Sequence, residues 1–170
     1  MRYVFITPWK VAHQSFYYDA IQEYLKRIQK LVPVLHISPI NTLDPNDLLS
    51  FYAKELKKFS TEKPLCFALD ENAKTQSSSE FAKNLEQLEI KGEKTVVFCL
   101  GGAYGLPAQL QILSRIEAIS LSPMTFPHEM AFTIVLEQIY RARCIISKHP
   151  YHHGEKSALA KEMKWISKNR

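Results

Sequence analysis

Short apolar runs that alternate with longer amphipathic stretches constrain this chain more than any other feature. Leu65-Cys66-Phe67-Ala68-Leu69 is nearly continuous in apolar character, and Thr95-Val96-Val97-Phe98-Cys99-Leu100 is apolar almost throughout. Strands covered on both faces read this way, whereas a strand with one wet face alternates. Residues 2–7 read as a further strand, Val32–Ile37 as another that Pro33 assigns to an edge, and Ala118–Leu121 as a short fifth. Between them, Tyr17, Ile21, Tyr24, Ile28 and Leu31 recur at spacings of four and three, which predicts a helix over 14–31. Further helices are expected from Asp44 or Asn46 to Phe59 and from Ser77–Ser79 to Leu88, where Glu80 is placed for a capping box. Two more are expected over 107–115 and from Pro127 or His128 to Ser147. Strand and helix in alternation predict an α/β fold, a mainly parallel sheet with helices on both faces. Ligands of such sheets bind at the carboxyl ends of the strands, so loops 70–76, 101–106 and 121–127 are the places to look.

A chain of 170 residues fits one domain, and 46% hydrophobic residues suffice for a core without a staple. There is no run of about 20 apolar residues and no secretory signal, so a cytoplasmic protein is expected. Cys66, Cys99 and Cys144 sit in apolar segments without metal-ligand spacing and read as buried thiols. The net charge of +5 favours a polyanionic partner, although solubility alone also accounts for it.

The first loop carries Asp70-Glu71-Asn72, where a carboxylate can accept from a ribose or an amine, or simply cap a turn. Gly101, Gly102 and Gly105 place three of the five glycines in the second loop, directly after an apolar strand and before a helix. Glycines there let backbone approach a ligand. The spacing matches neither a dinucleotide fingerprint nor a P-loop. The third loop, Leu121-Ser122-Pro123-Met124-Thr125-Phe126-Pro127-His128, is stiffened by prolines and offers an apolar wall for an adenine, or a rigid connector. His128-Glu129 does not begin a zinc-protease signature, since Ala131 and Phe132 follow.

The last helix is apolar around most of its circumference, which points to a subunit interface; Glu137 and Arg141 stand four apart and can pair. Beyond it, His149-Pro150-Tyr151-His152-His153 offers imidazoles and a phenol suited to an unstacked RNA base, ahead of a disordered tail and, last, metal ligation. Residues 154–170 form a basic extension.

Four ordered motifs combine here: Phe98-Cys99-Leu100-Gly101-Gly102-Ala103-Tyr104-Gly105-Leu106, then Leu121 to His128, then Glu137-Gln138-Ile139-Tyr140-Arg141-Ala142, then His149-Pro150-Tyr151-His152. With Glu23-Tyr24-Leu25-Lys26-Arg27 and Leu69-Asp70, they resemble the RlmH family of large-subunit rRNA pseudouridine N3-methyltransferases, of the SPOUT class. The resemblance covers roughly residues 1–153 as a single domain. It implies a C-terminal trefoil knot and S-adenosylmethionine as methyl donor. By position it assigns donor contacts to Leu69, Gly101, Leu121, Ser122, Pro123, Met124, Thr125 and Phe126. It implies a homodimer acting on the helix 69 stem-loop of 23S rRNA in the assembled ribosome, with no metal and no membrane. In that chemistry Arg141 is the candidate for stabilising charge on the acceptor, and His128, Tyr151 and His152 for base or base-orienting work. The sequence departs from the family at Ala103, at Tyr104, at Thr7-Pro8-Trp9-Lys10 and in its long tail. Other readings stay open: a related enzyme acting on tRNA, a non-enzymatic RNA-binding or ribosome-assembly protein, or a metal hydrolase using His128, His149, His152 and His153.

Overall fold

A computed structural model describes residues 1–39, 44–102, 105–112 and 115–151. Five strands, β1 (Arg2–Ile6), β2 (Val34–Ile37), β3 (Leu65–Leu69), β4 (Thr95–Cys99) and β5 (Arg115–Ile119), form one sheet in the order β2-β1-β4-β3-β5. Every pairing is parallel. Four α-helices, α1 (Tyr18–Gln29), α2 (Leu48–Lys57), α3 (Ser78–Ile90) and α4 (His128–Ile146), connect or follow the strands.

The near-continuous apolar runs are explained by two cores. Successive strand residues point to opposite faces. Tyr3, Phe5, Phe67, Val96 and Phe98 face one way and meet Ile21, Leu25 and Ile28 of α1, Phe81 and Leu85 of α3, and Phe132, Val135, Leu136 and Ile139 of α4. The Phe98 ring stacks between Phe5 and Phe67, with centroids 5.4 Å from each. Val4, Ile6, Cys66, Val97 and Cys99 face the other way, against Tyr52 and Leu56 of α2 and Leu110. All three cysteines are buried, and burial raises the Cys99 thiol well above its ordinary range.

Three boundaries differ from the sequence reading. The last strand is Arg115–Ile119 rather than Ala118–Leu121. It lies at the sheet edge, where Arg115 and Glu117 are exposed, so polar residues extend it without apolar signal. The helix expected over 107–115 is a 3₁₀ helix over Ala108–Ile112. α1 begins at Tyr18 rather than residue 14, because Ser15 organises a turn: its amide donates to Ala12 O, its hydroxyl accepts from Tyr17 N, and its carbonyl accepts from Tyr18 N. The expected cap of α3 is present, with Ser77 and Glu80 bonding reciprocally.

α4 carries six buried residues within its own subunit, and no residue from Glu129 to Ile146 is fully exposed. Met130, Ile134, Ile145 and Ile146 are half-buried, the last two packed against the core of the same chain. Among the described residues, no helix is long and apolar enough to cross a membrane. His152, Ala103, Tyr104 and the extension 154–170 lie outside the described residues.

Candidate active site

The carboxyl ends of β3, β4 and β5 open into a cleft of about 710 Å³. One wall is Leu69 to Asn72, continuing β3; the opposite wall is Leu121 to His128, leading into α4; the glycine turn after β4 closes the base. All three loops singled out by strand position thus meet in one place. Of the eight residues expected to hold a donor, Leu69, Gly101, Leu121, Ser122, Met124, Thr125 and Phe126 line this cleft, while Pro123 is not among the lining residues. His128 lines its edge, with its ring 4.4 Å from that of Trp9.

Each wall is braced. Asp70 Oδ1 accepts from Asn72 N at 2.9 Å, an Asx turn that directs the chain away from β3. The Thr125 hydroxyl donates to the Glu71 carboxylate and ties the two walls together. The buried Ser120 hydroxyl lies 2.9 Å from Ser122 O and 3.2 Å from Glu71 O. Ser122 Oγ accepts from Met124 N at 3.0 Å, tightening the turn that leaves Met124 exposed.

The glycine turn closes on itself, with Gly105 N donating to Gly102 O at 3.0 Å and Gly105 at φ +74°. A Cβ on Gly101 would stand 2.5 Å from the Gly105 carbonyl carbon, so no larger residue fits without moving backbone. One brace here was not foreseen: the fully buried Tyr52 of α2 donates its hydroxyl to Leu100 O, immediately before the turn. In the sequence, Tyr52 reads only as an aromatic on an amphipathic helix.

Residues 1–152 match the family described as "Predicted SPOUT methyltransferase". Ribosomal RNA large subunit methyltransferase H of Syntrophomonas wolfei is 34% identical over 163 residues, covering 89% of this chain and 99% of that protein. The protein of the same name from Acetivibrio thermocellus is 32% identical over 160 residues, covering 89% and 99%. That from Synechococcus sp. strain CC9605 is 38% identical over 136 residues, covering 80% and 86%.

This chain is a member of the SPOUT methyltransferase family.

The methyl donor of SPOUT methyltransferases is S-adenosylmethionine, and the cleft fits it. The volume lies in the roughly 300–1,000 Å³ range of small-molecule sites. Leu69, Leu100, Leu121 and Ile116 provide apolar wall for an adenine.

Arg141 and Tyr151 of this SPOUT methyltransferase lie elsewhere. Arg141 stands thirteen positions along α4 from His128, about 20 Å at 1.5 Å per residue. Arg141 binds Glu137 Oε1 through Nε at 3.0 Å and through Nη2, and the pair is partly buried. Hydrogen bonding to that carboxylate raises the Arg141 pKa further. The chain reverses after α4: Lys148 has φ 56°, and His149 N donates to Cys144 O at 2.8 Å. This brings Tyr151 back beside Arg141, whose guanidinium lies 5.1 Å from the Tyr151 ring centroid. Burial first, then bonding to Tyr24 and the Glu137 charge, push the Tyr151 phenol well above its ordinary value. The Tyr151 hydroxyl donates to Glu137 Oε1 at 3.1 Å. Among the described residues, no three His, Cys, Asp or Glu side chains converge as a metal site.

Proposed function

We propose that this chain methylates N3 of a pseudouridine in the helix 69 stem-loop of 23S rRNA, on the assembled ribosome, as a cytoplasmic homodimer. The observation that carries this reading is the likeness to ribosomal RNA large subunit methyltransferase H over nearly the whole length of that protein. A trefoil knot in the C-terminal half belongs to the same reading. It is supported by the family match over residues 1–152. Residues 154–170, beyond the family match, act as a basic extension contacting phosphates.

When bound, S-adenosylmethionine supplies an electrophilic methyl group that needs no metal to activate it. The chain's work is positioning and electrostatics. Leu69, Leu121, Ser122, Met124, Thr125 and Phe126 would enclose the adenosyl moiety, and Gly101 lets the turn close beneath it. The Glu71–Thr125 bond fixes the spacing of the two walls. The acceptor imide must give its proton to water, leaving negative charge on its oxygens, and the Arg141 guanidinium stabilises that charge. Because Arg141 sits about 20 Å along α4 from His128 and Tyr151 lies beside it, they serve the cleft of the partner subunit, with half-buried Met130, Ile134, Ile145 and Ile146 contributing to the dimer contact.

Mass spectrometry of 23S rRNA from cells lacking the protein tests the reading. The helix 69 fragment is expected to lose one methyl group, and complementation with Arg141→Ala is expected to leave it unmethylated while the variant still binds the donor. An unchanged fragment refutes the assignment, and a lost methyl mapped to tRNA moves it to that substrate.

A further inference from the structure

Around Glu137 the structure collects more donors than a surface ion pair needs. Its Oε1 accepts from Arg141 Nε and Nη2 and from the Tyr151 hydroxyl at 3.1 Å; its Oε2 accepts from Gln138 Nε2 at 2.6 Å. Gln138 Oε1 in turn accepts from the Ser78 hydroxyl at 2.6 Å, in the first turn of α3. One carboxylate is thereby tied to a neighbouring helix and grips two side chains that reach it by different routes: Arg141 along α4, Tyr151 through the reversal at Lys148. Tyr140 packs edge-on against the Tyr151 ring at 4.8 Å, and the Tyr24 hydroxyl lies 3.5 Å from that of Tyr151. The Glu137 side chain is only 18% exposed and that of Arg141 28%. Neither has the freedom of an exposed pair, whose contribution is usually small.

We propose that Glu137 is a positioning residue that holds Arg141 and Tyr151 as one rigid unit facing the acceptor base. The inference rests on the methyltransferase reading above and adds to it a residue that touches neither donor nor acceptor. Its chemistry is orientation. A guanidinium bound through both Nε and Nη2 has a fixed plane and presents its remaining N–H edge in one direction. A phenol donating to the same oxygen has its ring and oxygen lone pairs fixed as well. A catalytic group displaced by about 1 Å can cost about 100-fold in rate, so loosening this unit acts on turnover and not on donor binding, since none of Glu137, Arg141 and Tyr151 lines the donor cleft.

The test uses the full-length protein with ribosomes as substrate. Glu137→Gln preserves size and removes the charge. It is expected to lower kcat by about 10- to 100-fold while KM for S-adenosylmethionine stays within about two-fold. Tyr151→Phe removes one of the bonds to Glu137, and the double variant is expected to be no slower than Glu137→Gln alone, as for members of one unit. Hydrogen exchange at the His149 and Tyr151 amides, expected to speed up in Glu137→Gln, needs no substrate. Unchanged kcat, independent additive effects of the two substitutions, or unchanged exchange overturns the proposal. A parallel fall in kcat and donor affinity also overturns it, since that is the mark of general structural damage. If the wild type binds the donor but methylates no rRNA, the functional reading fails instead, and the exchange rates still decide whether Glu137 holds the tail.

Discussion

Mixing two inactive variants restores activity if each cleft is completed by the neighbouring subunit. Gly101→Ala disables the donor cleft, because its Cβ would stand 2.5 Å from the Gly105 carbonyl carbon and must displace the turn. Arg141→Ala disables the acceptor side, about 20 Å away along α4. In a mixed dimer, the subunit bearing Arg141→Ala still has an intact cleft, and its partner still has Arg141. One of the two composite sites is therefore whole, while the other carries both defects. Random pairing makes half of the dimers mixed, so the pool recovers about one quarter of wild-type activity. The assay is methyl transfer to ribosomes after the variants are co-refolded in equal amounts, with each homodimer measured alone as the baseline. If Arg141 served the cleft of its own chain, every site in the mixed dimer would carry one defect and the pool would stay inactive. That outcome, with dimers confirmed by sedimentation, refutes the shared-site reasoning.

Two predictions concern buried groups of the fold. Tyr52→Phe removes the hydroxyl that donates to Leu100 O and leaves that carbonyl without this partner inside the core; a loss of about 1–3 kcal/mol is expected. It should appear as a fall of roughly 0.5–1 M in the urea midpoint at fixed protein concentration, together with weaker donor binding by calorimetry; an unmoved midpoint refutes the bracing role. Burial holds His36 at about 4, below its ordinary 6.5, where it meets the buried Thr7 hydroxyl at 3.0 Å. The unfolded chain takes up this proton first, so the stability tied to neutral His36 is whole above pH 6.5 and is lost as the pH falls towards 4, by up to about 3 kcal/mol. Thermal melts across that window should show a steep acid loss that His36→Gln flattens, and equal slopes in both proteins would refute it.

Much of the fold was legible because strands buried on both faces have an apolar signature that solvent-facing elements lack. That same uniformity hid the strand order: with apolar residues on both faces of β1, β3 and β4, nothing along them marks which partner each takes. β5 was displaced in the reading because its edge position admits Arg115 and Glu117. The loops that meet in the cleft were legible from strand position alone, and Gly101 from its place after β4. Tyr52 was not, since its role depends on one hydroxyl meeting a carbonyl 48 residues away. The Glu137–Arg141 pair followed from helical spacing, but the approach of Tyr151 depends on a reversal at Lys148, a positive-φ position that no glycine announces.

The strand order also sets a timetable for synthesis. Arg2 pairs with Thr95, so the strand that lies between β1 and β3 is made long after its first neighbour. At about 5–20 residues per second, on the order of 5–20 s pass between them. During that interval the nascent N-terminal segment offers an open, apolar strand edge to whatever it meets. A protein read here as a modifier of finished ribosomes would thus depend, while being made, on shelter at the ribosome's own exit.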